Sequence, residues 1–203
     1  QEQGIVFIGP SAEQLDHFGD KLRARELAES AGLAVIPGTA EAVGDEDAIA
    51  FASDTGYPVM VKAVSGGGGR GMRVARDAEE LRRVLDVARR EASKAFGSGD
   101  VYIEKLVRNP RHIEVQILAN QHGRVEHLWE RDCSIQRRHQ KVVETAPARG
   151  LDSEVRQKIC GAAKDLMVHT GYQGAGTVEF LLGADDEFYF IEVNPRIQVE
   201  HTV

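Results

Sequence analysis

A glycine-rich loop between two short β-like runs constrains this chain more than any other stretch. The loop extends from Lys62 to Arg73 and contains four consecutive glycines, Gly66–Gly69. Glycine has no Cβ, so such a run leaves backbone N–H groups free to surround a small anion such as a terminal phosphate. No Gly-Lys-Ser/Thr follows, which excludes the P-loop pattern, and the loop does not open a helix as a dinucleotide fingerprint does. Taken alone, the loop is compatible with phosphate binding and equally with a flexible hairpin tip.

The composition is that of an ordinary globular chain and disfavours several functional classes. A chain of 203 residues can bury one large core or two small ones. The net charge of −7 argues against a general nucleic-acid partner, which would favour a basic surface. No apolar run approaches the roughly 18 residues that span a bilayer, so no membrane partner is expected. Cys133 and Cys160 form neither a disulfide framework nor a metal-ligand spacing, which predicts a reducing compartment.

Hydrophobic periodicity predicts an α+β fold with two lobes. Helices are predicted after the N-cap Ser11, with Gln14 completing a capping box, and at about Asp20–Ala31, Asp45–Thr55, Ala78–Phe96 and Ser153–His169. Strands are predicted at Ile5–Ile8, Tyr57–Val64, Met72–Ala75, Val101–Leu106, Ile113–Ala119, Arg124–Glu130, Ala175–Leu182 and Glu187–Val193. A small lobe of roughly 45–100 therefore precedes a larger strand-rich lobe. A cleft between two such lobes is a common place for a ligand.

Two glutamates in the closing pair of strands form a candidate metal site. Strand alternation places Glu179 on the face opposite Val178 and Phe180, and Glu192 also lies among apolar residues. Carboxylates on strands this apolar are costly to bury without a cation, and carboxylate and amide oxygens suit Mg²⁺. The alternative is that both glutamates face solvent or pair with arginine.

The segment that follows these strands places a cation, an amide and a carboxylate close together. Arg196 could hold a small oxyanion bidentately, and Glu200 could accept a proton nearby. A solvated strand end is the alternative for this segment.

The densest polar block of the sequence is 132–141. A basic surface loop or a nucleic-acid patch are its simplest interpretations, but no aromatic residues are interleaved for base stacking. We therefore predict an anion-binding loop that lines the cleft. His139 could be a ligand, a base or a hydrogen-bond donor to ribose or phosphate, and Cys133 is predicted to serve packing.

Several further polar residues lie at strand boundaries. Lys62 flanks the glycine loop on the strand face opposite Val59 and Val61, whereas Lys21 alone would most simply be solvated. The backbone of the strand end Glu104–Leu106 could form hydrogen bonds with the edge of an adenine base. His112 and Glu114 share one strand face and are predicted to point toward the cleft.

Taken together, five separated motifs resemble the biotin carboxylase domain of biotin-dependent carboxylases, a branch of the ATP-grasp fold. The motifs are Lys62 with Gly66–Met72, Pro110–Glu114, Glu130–Lys141, Gly176–Phe180 and Phe190–His201, which follow one another over essentially the whole chain. Within these carboxylases the chain is most similar to the pyruvate carboxylases, through Ala95–Gly97, Glu114–Leu118, Glu130–Lys141 and Glu200–Val203.

The resemblance implies an ATP-dependent ligase. Bicarbonate would attack the γ-phosphate of MgATP (or MnATP) to give carboxyphosphate, and CO₂ would pass to N1 of a biotin held on a carrier domain. By motif match, ATP would be bound by Lys21, Lys62, Gly67, Gly68, Gly69, Glu104, Lys105, Leu106, His112, Gln136 and His139. The metal would be held by Glu179, Glu192 and Asn194. Bicarbonate would be held by Lys141, Arg196, Gln198, Val199 and Glu200, with Glu200, Arg196 and Lys141 catalytic.

The same resemblance implies how the chain is organised. Residues 1–44 would be a remnant of an N-terminal α/β subdomain with connecting helices, 45–100 the small ATP-grasp lid subdomain, and 101–203 a strand-rich subdomain incomplete at its C-terminus. The chain starts at Gln1 and stops at Val203. We therefore expect a fragment truncated at both ends that binds ATP but turns over weakly or not at all by itself.

The expected partners are a biotin carboxyl carrier domain and a carboxyltransferase domain or subunit, in a homo-oligomeric parent. The expected location is the cytoplasm, or the mitochondrial matrix if the parent is eukaryotic. Two alternatives stay open. One is a nucleotide-binding fragment without catalysis, and the other is a different ATP-grasp ligase such as a carbamoyl-phosphate synthetase domain.

Overall fold

The computed structural model describes residue 4 and residues 7–65 and 72–203. The helices are α1 (Ala12–Gly19), α2 (Lys21–Ser30), α3 (Asp45–Thr55), α4 (Ala78–Phe96) and α5 (Ser153–His169), with a 3₁₀ helix at Val199–Thr202. The strands are β1 (Val59–Ala63), β2 (Arg73–Ala75), β3 (Val101–Lys105), β4 (Arg111–Ala119), β5 (Val125–Arg137), β6 (Gln140–Thr145), β7 (Gly174–Leu182) and β8 (Phe188–Asn194). The glycines of the predicted phosphate loop, Gly67, Gly68 and Gly69 among them, lie outside the described residues.

The smaller sheet is antiparallel, in the order β2-β1-β3, and is covered by α3 and α4. Helix α4 starts at the N-cap Asp77, whose carboxylate accepts a hydrogen bond from the backbone N–H of Glu80. It buries one apolar stripe at helical spacing, Leu81, Leu85, Ala88 and Ala92. Leu81, Leu85 and Ala88 of that stripe pack with Val59, Val61 and Ile103 in a small core of their own.

The larger sheet is also antiparallel, in the order β6-β5-β4-β7-β8. One face forms the main core with α1, α2 and α5, and on β4 this face presents Ile113, Val115 and Ile117, all fully buried. Because side chains alternate along a strand, His112, Glu114 and Gln116 point to the opposite face. The larger sheet therefore carries an apolar face toward its helices and a polar face away from them.

Several sequence predictions about these elements are confirmed. Helices α3, α4 and α5 have the predicted bounds, and the Ser11–Gln14 capping box is formed in both directions. The predicted hairpin around the glycine loop pairs β1 with β2. No helix within the described residues is both long and apolar enough to cross a bilayer.

Two predictions differ from the structure. Phe7 and Ile8 are exposed and lie outside any strand, and Ile5 and Val6 lie outside the described residues. The polar block 132–141 is not a loop, because β5 runs through it to Arg137 and pairs with β6. Backbone pairing between strands does not depend on apolar side chains, so this hairpin could not be predicted from hydrophobic alternation in a charged segment.

The structure also places β3 with the smaller sheet, where it pairs with β1 along five residues, Val101–Lys105. The predicted boundary at residue 100 lies directly before this strand. Strand β3 thus runs from the smaller sheet to the segment that enters β4.

Candidate active site

Three carboxylates lie side by side across neighbouring strands on the polar face of the larger sheet. Glu179 on β7 has Glu114 on β4 as its Cα partner on one side and Glu192 on β8 on the other. Glu114 and Glu179 are almost fully buried. Like charges placed directly opposite one another destabilise a sheet, so this row requires cations to compensate it.

Lys141 supplies one of these cations from β6. Its Nζ donates to Glu179 Oε1 at 2.9 Å and to Glu200 Oε1 at 3.1 Å, and it also pairs with Glu114. Burial alone would lower the pKa of Lys141, but the charges of Glu179 and Glu114 outweigh it and raise this pKa above its usual value. The ammonium therefore stays charged and links the central carboxylate of the row to Glu200.

His112 reaches the same carboxylate from β4, and Gln136 fixes its tautomer. The Gln136 side-chain amide donates to the carbonyl oxygen of Cys133 at 2.9 Å, so its NH₂ group is also the one that faces His112 Nδ1 at 2.9 Å. Nδ1 must then accept, which leaves the proton on Nε2 to be donated to Glu179 Oε2 at 2.6 Å. Both ring nitrogens of His112 are thus engaged in hydrogen bonds within the protein.

The two central glutamates respond to this environment in opposite ways. Burial acts to raise the pKa of Glu179, but the hydrogen bond from His112 and the charge of Lys141 lower it to about 2. Burial and the neighbouring charge of Glu179 raise the pKa of Glu192. Glu192 is therefore the carboxylate that most lacks a positive partner.

This donor set fits a hard divalent cation. Glu179 and Glu192 are Cα partners on adjacent strands, so they present carboxylate oxygens on the same face, and oxygen ligands suit Mg²⁺. The third predicted ligand, Asn194, donates its Nδ2 to Glu179 Oε1 at 2.8 Å and accepts from Arg196 Nη2 through Oδ1 at 3.3 Å. Asn194 thus orients Glu179 rather than presenting its own oxygen to the same point.

Two lysines approach the cleft from the opposite side. A backbone bridge joins Asp20 to Ser65, which brings the start of α2 next to the end of β1. Burial lowers the pKa of Lys21, and the charge of Glu192 partly opposes this shift. Lys62 is buried and pairs with Glu104 on β3. The two lysines predicted to contact phosphate therefore lie near each other, with Glu192 also near Lys21.

The predicted bicarbonate residues are brought together in part. Lys141 and Glu200 are in direct contact, and Lys141 contributes to lowering the pKa of Glu200 against the effect of burial. Gln198 is buried, and its side-chain Oε1 has no hydrogen-bond partner among the described residues. Arg196 is exposed and donates to Asn194. Val199 is 90% exposed, and because its side chain has no hydrogen-bond donor, only its backbone could bind a small anion.

The residues predicted around adenine have defined structural partners. The Glu104 side chain is buried against Lys62, and Lys105 Nζ donates to the carbonyl oxygens of Thr55 and Gly56 at 3.0 and 2.6 Å, which caps the end of α3. The backbone N–H groups of Lys105 and Leu106 donate to Pro37 and Pro58. A cavity of about 360 Å³ lies beside them, and its lining includes Lys105, Leu106, Val107 and Tyr189. His139 lies in the exposed β5–β6 turn.

Sequence reasoning missed two cations that stabilise the site. Arg131 donates from Nε to Glu114 Oε1 at 2.7 Å and from Nη1 to Gln116 Oε1 at 3.0 Å, all within the buried interior. Arg25 is buried one helical turn after Lys21 and lies near Glu104. The spacing of Arg25 from Lys21 could have indicated a shared helix face. The side-chain direction of Arg131 could not be predicted from strand alternation, because the pairing of β5 with β4 shifts register just before it.

Comparison with known proteins identifies the family. The family model described as "Carbamoyl-phosphate synthase L chain, ATP binding domain" matches residues 20–203. The chain is 55% identical over 204 aligned residues to a pyruvate carboxylase of Bacillus subtilis, covering 100% of this chain and 18% of that protein. The chain thus spans about a fifth of the length of the curated relatives it matches.

Solved structures agree with the fold. A Campylobacter jejuni biotin carboxylase in complex with β,γ-ATP superposes with a TM-score of 0.97 at 47% identity, over 100% of this chain and 46% of that one. The biotin carboxylase domain dimer of the Hydrogenobacter thermophilus 2-oxoglutarate carboxylase, in complex with MgADP, ADP and bicarbonate, gives a TM-score of 0.96 at 47% identity, covering 100% and 45%. The fold is the predicted α+β ATP-grasp fold.

The family model covers most of the chain, and the motifs carry the same resemblance. The chain therefore belongs to the family of carbamoyl-phosphate synthase L chain ATP-binding domains, and its predicted likeness to biotin carboxylase domains is confirmed.

Proposed function

We propose that this chain is the catalytic core of a biotin carboxylase, which uses MgATP to activate bicarbonate and then carboxylates a carrier-bound biotin. One observation carries the proposal: Lys141 Nζ lies 2.9 Å from Glu179, the candidate metal carboxylate, and 3.1 Å from Glu200, the candidate base. A single ammonium thus joins the place where a phosphate would bind to the place where bicarbonate would be deprotonated. Related proteins in complex with MgADP and bicarbonate support the same two ligands.

The nucleotide would lie between the two sheets. Lys21 and Lys62 would neutralise its phosphates, and His112, Gln136 and His139 would lie near ribose and phosphate. Along β8, Glu192 and Tyr189 are about 10 Å apart at strand spacing, so a nucleotide whose phosphates lie at Glu192 could extend its base toward the cavity beside Lys105 and Leu106. A Mg²⁺ ion held by Glu179 and Glu192, with Asn194 beside them, would neutralise charge on the transferred phosphoryl group.

The protein groups account for the proton and charge movements. Glu200 would remove the bicarbonate proton, and a bicarbonate oxygen would form a bond to the γ-phosphorus as the bond to ADP breaks, which gives carboxyphosphate. Lys141, Arg196, Gln198 and the Val199 backbone would hold the anion. Carboxyphosphate would then release CO₂ and phosphate, the released phosphate would accept the N1 proton of biotin, and N1 would attack CO₂. Positioning and charge neutralisation suffice for such a phosphoryl transfer.

The full reaction would require segments beyond these residues. We propose a biotin carboxyl carrier domain and a carboxyltransferase as partners, within a homo-oligomeric pyruvate carboxylase in the cytoplasm or the mitochondrial matrix. The pyruvate carboxylases that match the chain over its whole length support this choice of acceptor. We further propose that residues 45–100 act as the lid subdomain and that 101–203 supply the carboxylates, with 1–44 as the connection to an α/β subdomain.

Bicarbonate-dependent ATP cleavage in the full-length protein tests the proposal. We expect ADP release only when bicarbonate is present, and stimulation of that release by free biotin. Cleavage that biotin leaves unchanged would point to another ATP-grasp ligase, such as a carbamoyl-phosphate synthetase. Nucleotide binding without bicarbonate-dependent cleavage would indicate a non-catalytic module.

A further inference from the structure

Arg25 is a buried cation on the inner face of α2, at a distance from the row of carboxylates. Its Nη2 donates to the carbonyl oxygen of Ile36 at 2.9 Å, and its Nη1 lies 3.5 Å from Glu104 Oε2. The guanidinium carbon lies 5.9 Å from the centre of the Tyr102 ring. A guanidinium with 7% exposure for its residue is costly to bury, so these three partners are what makes the position tolerable.

The surrounding backbone leaves little space at this point. Gly38 is bridged to Glu104, and a Cβ at Gly38 would lie 3.2 Å from Arg25 Nη2 and 2.9 Å from the carbonyl oxygen of Ile103. A larger residue at position 38 would therefore displace the arginine or the strand. The segment before α3, helix α2 and strand β3 converge on the Arg25–Glu104 pair.

Glu104 is shared between two cations on different elements. Oε2 faces Arg25 on α2, and Oε1 pairs with Lys62 on β1. The side chains of all three are less than a tenth exposed. Two cations and one carboxylate leave a net charge of +1 on this triad, and Lys62 is its only member next to the glycine loop.

We propose that Arg25 is a positioning residue for Lys62, acting through Glu104. Because Arg25 also neutralises Glu104, the Lys62 ammonium can bind a nucleotide phosphate without leaving a buried carboxylate unpaired. Without Arg25, Lys62 is the one ion-pair partner left to Glu104 among the described residues, and that pair has no net charge to offer a phosphate. A buried carboxylate that loses its last partner is strongly destabilised, so Lys62 would remain with Glu104. The proposal rests on the proposed function, since it assigns the nucleotide phosphates to Lys62.

A double-mutant cycle on the full-length protein tests this role by direct binding of MgATP, measured calorimetrically. Arg25→Met is expected to weaken MgATP binding about ten-fold, or about 1.4 kcal/mol. Adding Glu104→Gln removes the charge that retains Lys62 and leaves unchanged the backbone that is predicted to face adenine, so the double variant is expected to bind within about three-fold of the wild type. Arg23→Met is the matched control, because Arg23 is exposed on the same helix, and it is expected to bind as the wild type does.

Each result distinguishes the proposal from a merely structural role. A change of less than about two-fold in Arg25→Met overturns it, and so does a loss that Glu104→Gln fails to restore. If Arg25→Met does not fold, the comparison of Glu104→Gln with the double variant decides: a ten-fold difference between them overturns the proposal, and near-equality supports it. A wild type that binds no MgATP refutes the proposed function, whereas a wild type that binds together with an unaffected Arg25→Met refutes only this inference.

Discussion

Replacement of Glu200 by glutamine separates the proton-transfer role from the binding roles of the site. Glu200 Oε1 accepts from Lys141 Nζ at 3.1 Å, and the same ammonium lies 2.9 Å from Glu179. Glutamine has nearly the same shape, and its amide oxygen can still accept from Lys141. The substitution therefore keeps the contact while it removes the group able to take a proton from bicarbonate.

The expected effects differ strongly in size. A positioned general base contributes about 10²–10⁴-fold in rate, so the variant should lose about 3–5 kcal/mol of transition-state stabilisation. Lys141 keeps its ion pairs with Glu114 and Glu179 in the variant, so no buried charge is left unpaired and the thermal unfolding temperature should change little. Lys21 and Lys62 are untouched, which predicts that MgATP affinity stays within a few-fold.

The assay is bicarbonate-dependent release of ADP by the full-length protein, together with MgATP binding measured separately. Glu144→Gln is a matched control, because Glu144 on β6 is a neighbouring carboxylate whose pKa is raised by burial and by the charges of Glu200 and Glu114. We expect this control to retain the wild-type rate. If Glu200→Gln keeps its rate within about five-fold, Glu200 is not the base. If MgATP affinity falls together with the rate, Glu200 acts through Lys141 and Glu179 instead.

Three further predictions concern the metal, the β5–β6 turn and the thiols. Glu192→Gln removes a carboxylate ligand, so the Mg²⁺ concentration that half-activates ATP cleavage should rise at least about ten-fold, and an unchanged Mg²⁺ titration would contradict this. Because burial and Glu179 raise the pKa of Glu192, its charged form is unfavourable in the folded protein, so the unfolding temperature of the variant should be equal or higher. Arg138 and His139 form a two-residue turn with φ of 53° and 63°, a conformation that Asn-Gly adopts more readily. An Arg138→Asn, His139→Gly double variant should therefore slow hydrogen exchange of the hairpin amides about five-fold, corresponding to about 1 kcal/mol. Faster exchange would refute the turn assignment. Burial raises the pKa of Cys133, and it raises the pKa of Cys160 to about 12, so both are neutral thiols at pH 8. Both should therefore be alkylated at least about ten-fold more slowly in the folded protein than in the unfolded protein, as followed by mass spectrometry. Rapid labelling of the folded protein at either cysteine would contradict the burial of that residue.

The sequence determined the helices more accurately than the sheets. Helix α4 has 19 residues with one apolar stripe, between the N-cap Asp77 and the left-handed Gly97, so its limits follow from local chemistry alone. Strand β6 has no such local signature, because its side chains are mostly polar and its identity depends on pairing with β5. Phe7 and Ile8 show the reverse error, since an apolar run predicted a strand where the structure has none.

In the candidate site, too, some features could be predicted from the sequence and others could not. Alternation along single strands was enough to place Glu179, His112 and Glu114 on the polar face. The contacts between strands were not available from spacing, since the register of β7 and β8 shifts between Glu179 and Phe180. Arg131 could not be assigned for the same reason, because its partner Glu114 belongs to another strand.

The arrangement of charges explains why the site depends on the whole fold. The antiparallel register places Glu114, Glu179 and Glu192 in one row, which is unfavourable by itself. The compensating cations come from different elements: Lys21 from α2, Lys62 from β1, Arg131 from β5 and Lys141 from β6. No single element would hold its charges together in isolation, so the carboxylate row can persist only when both sheets and α2 are assembled. Glu192, whose pKa is raised, is the member that these cations compensate least, which is the property expected of a carboxylate that completes its coordination with a metal ion.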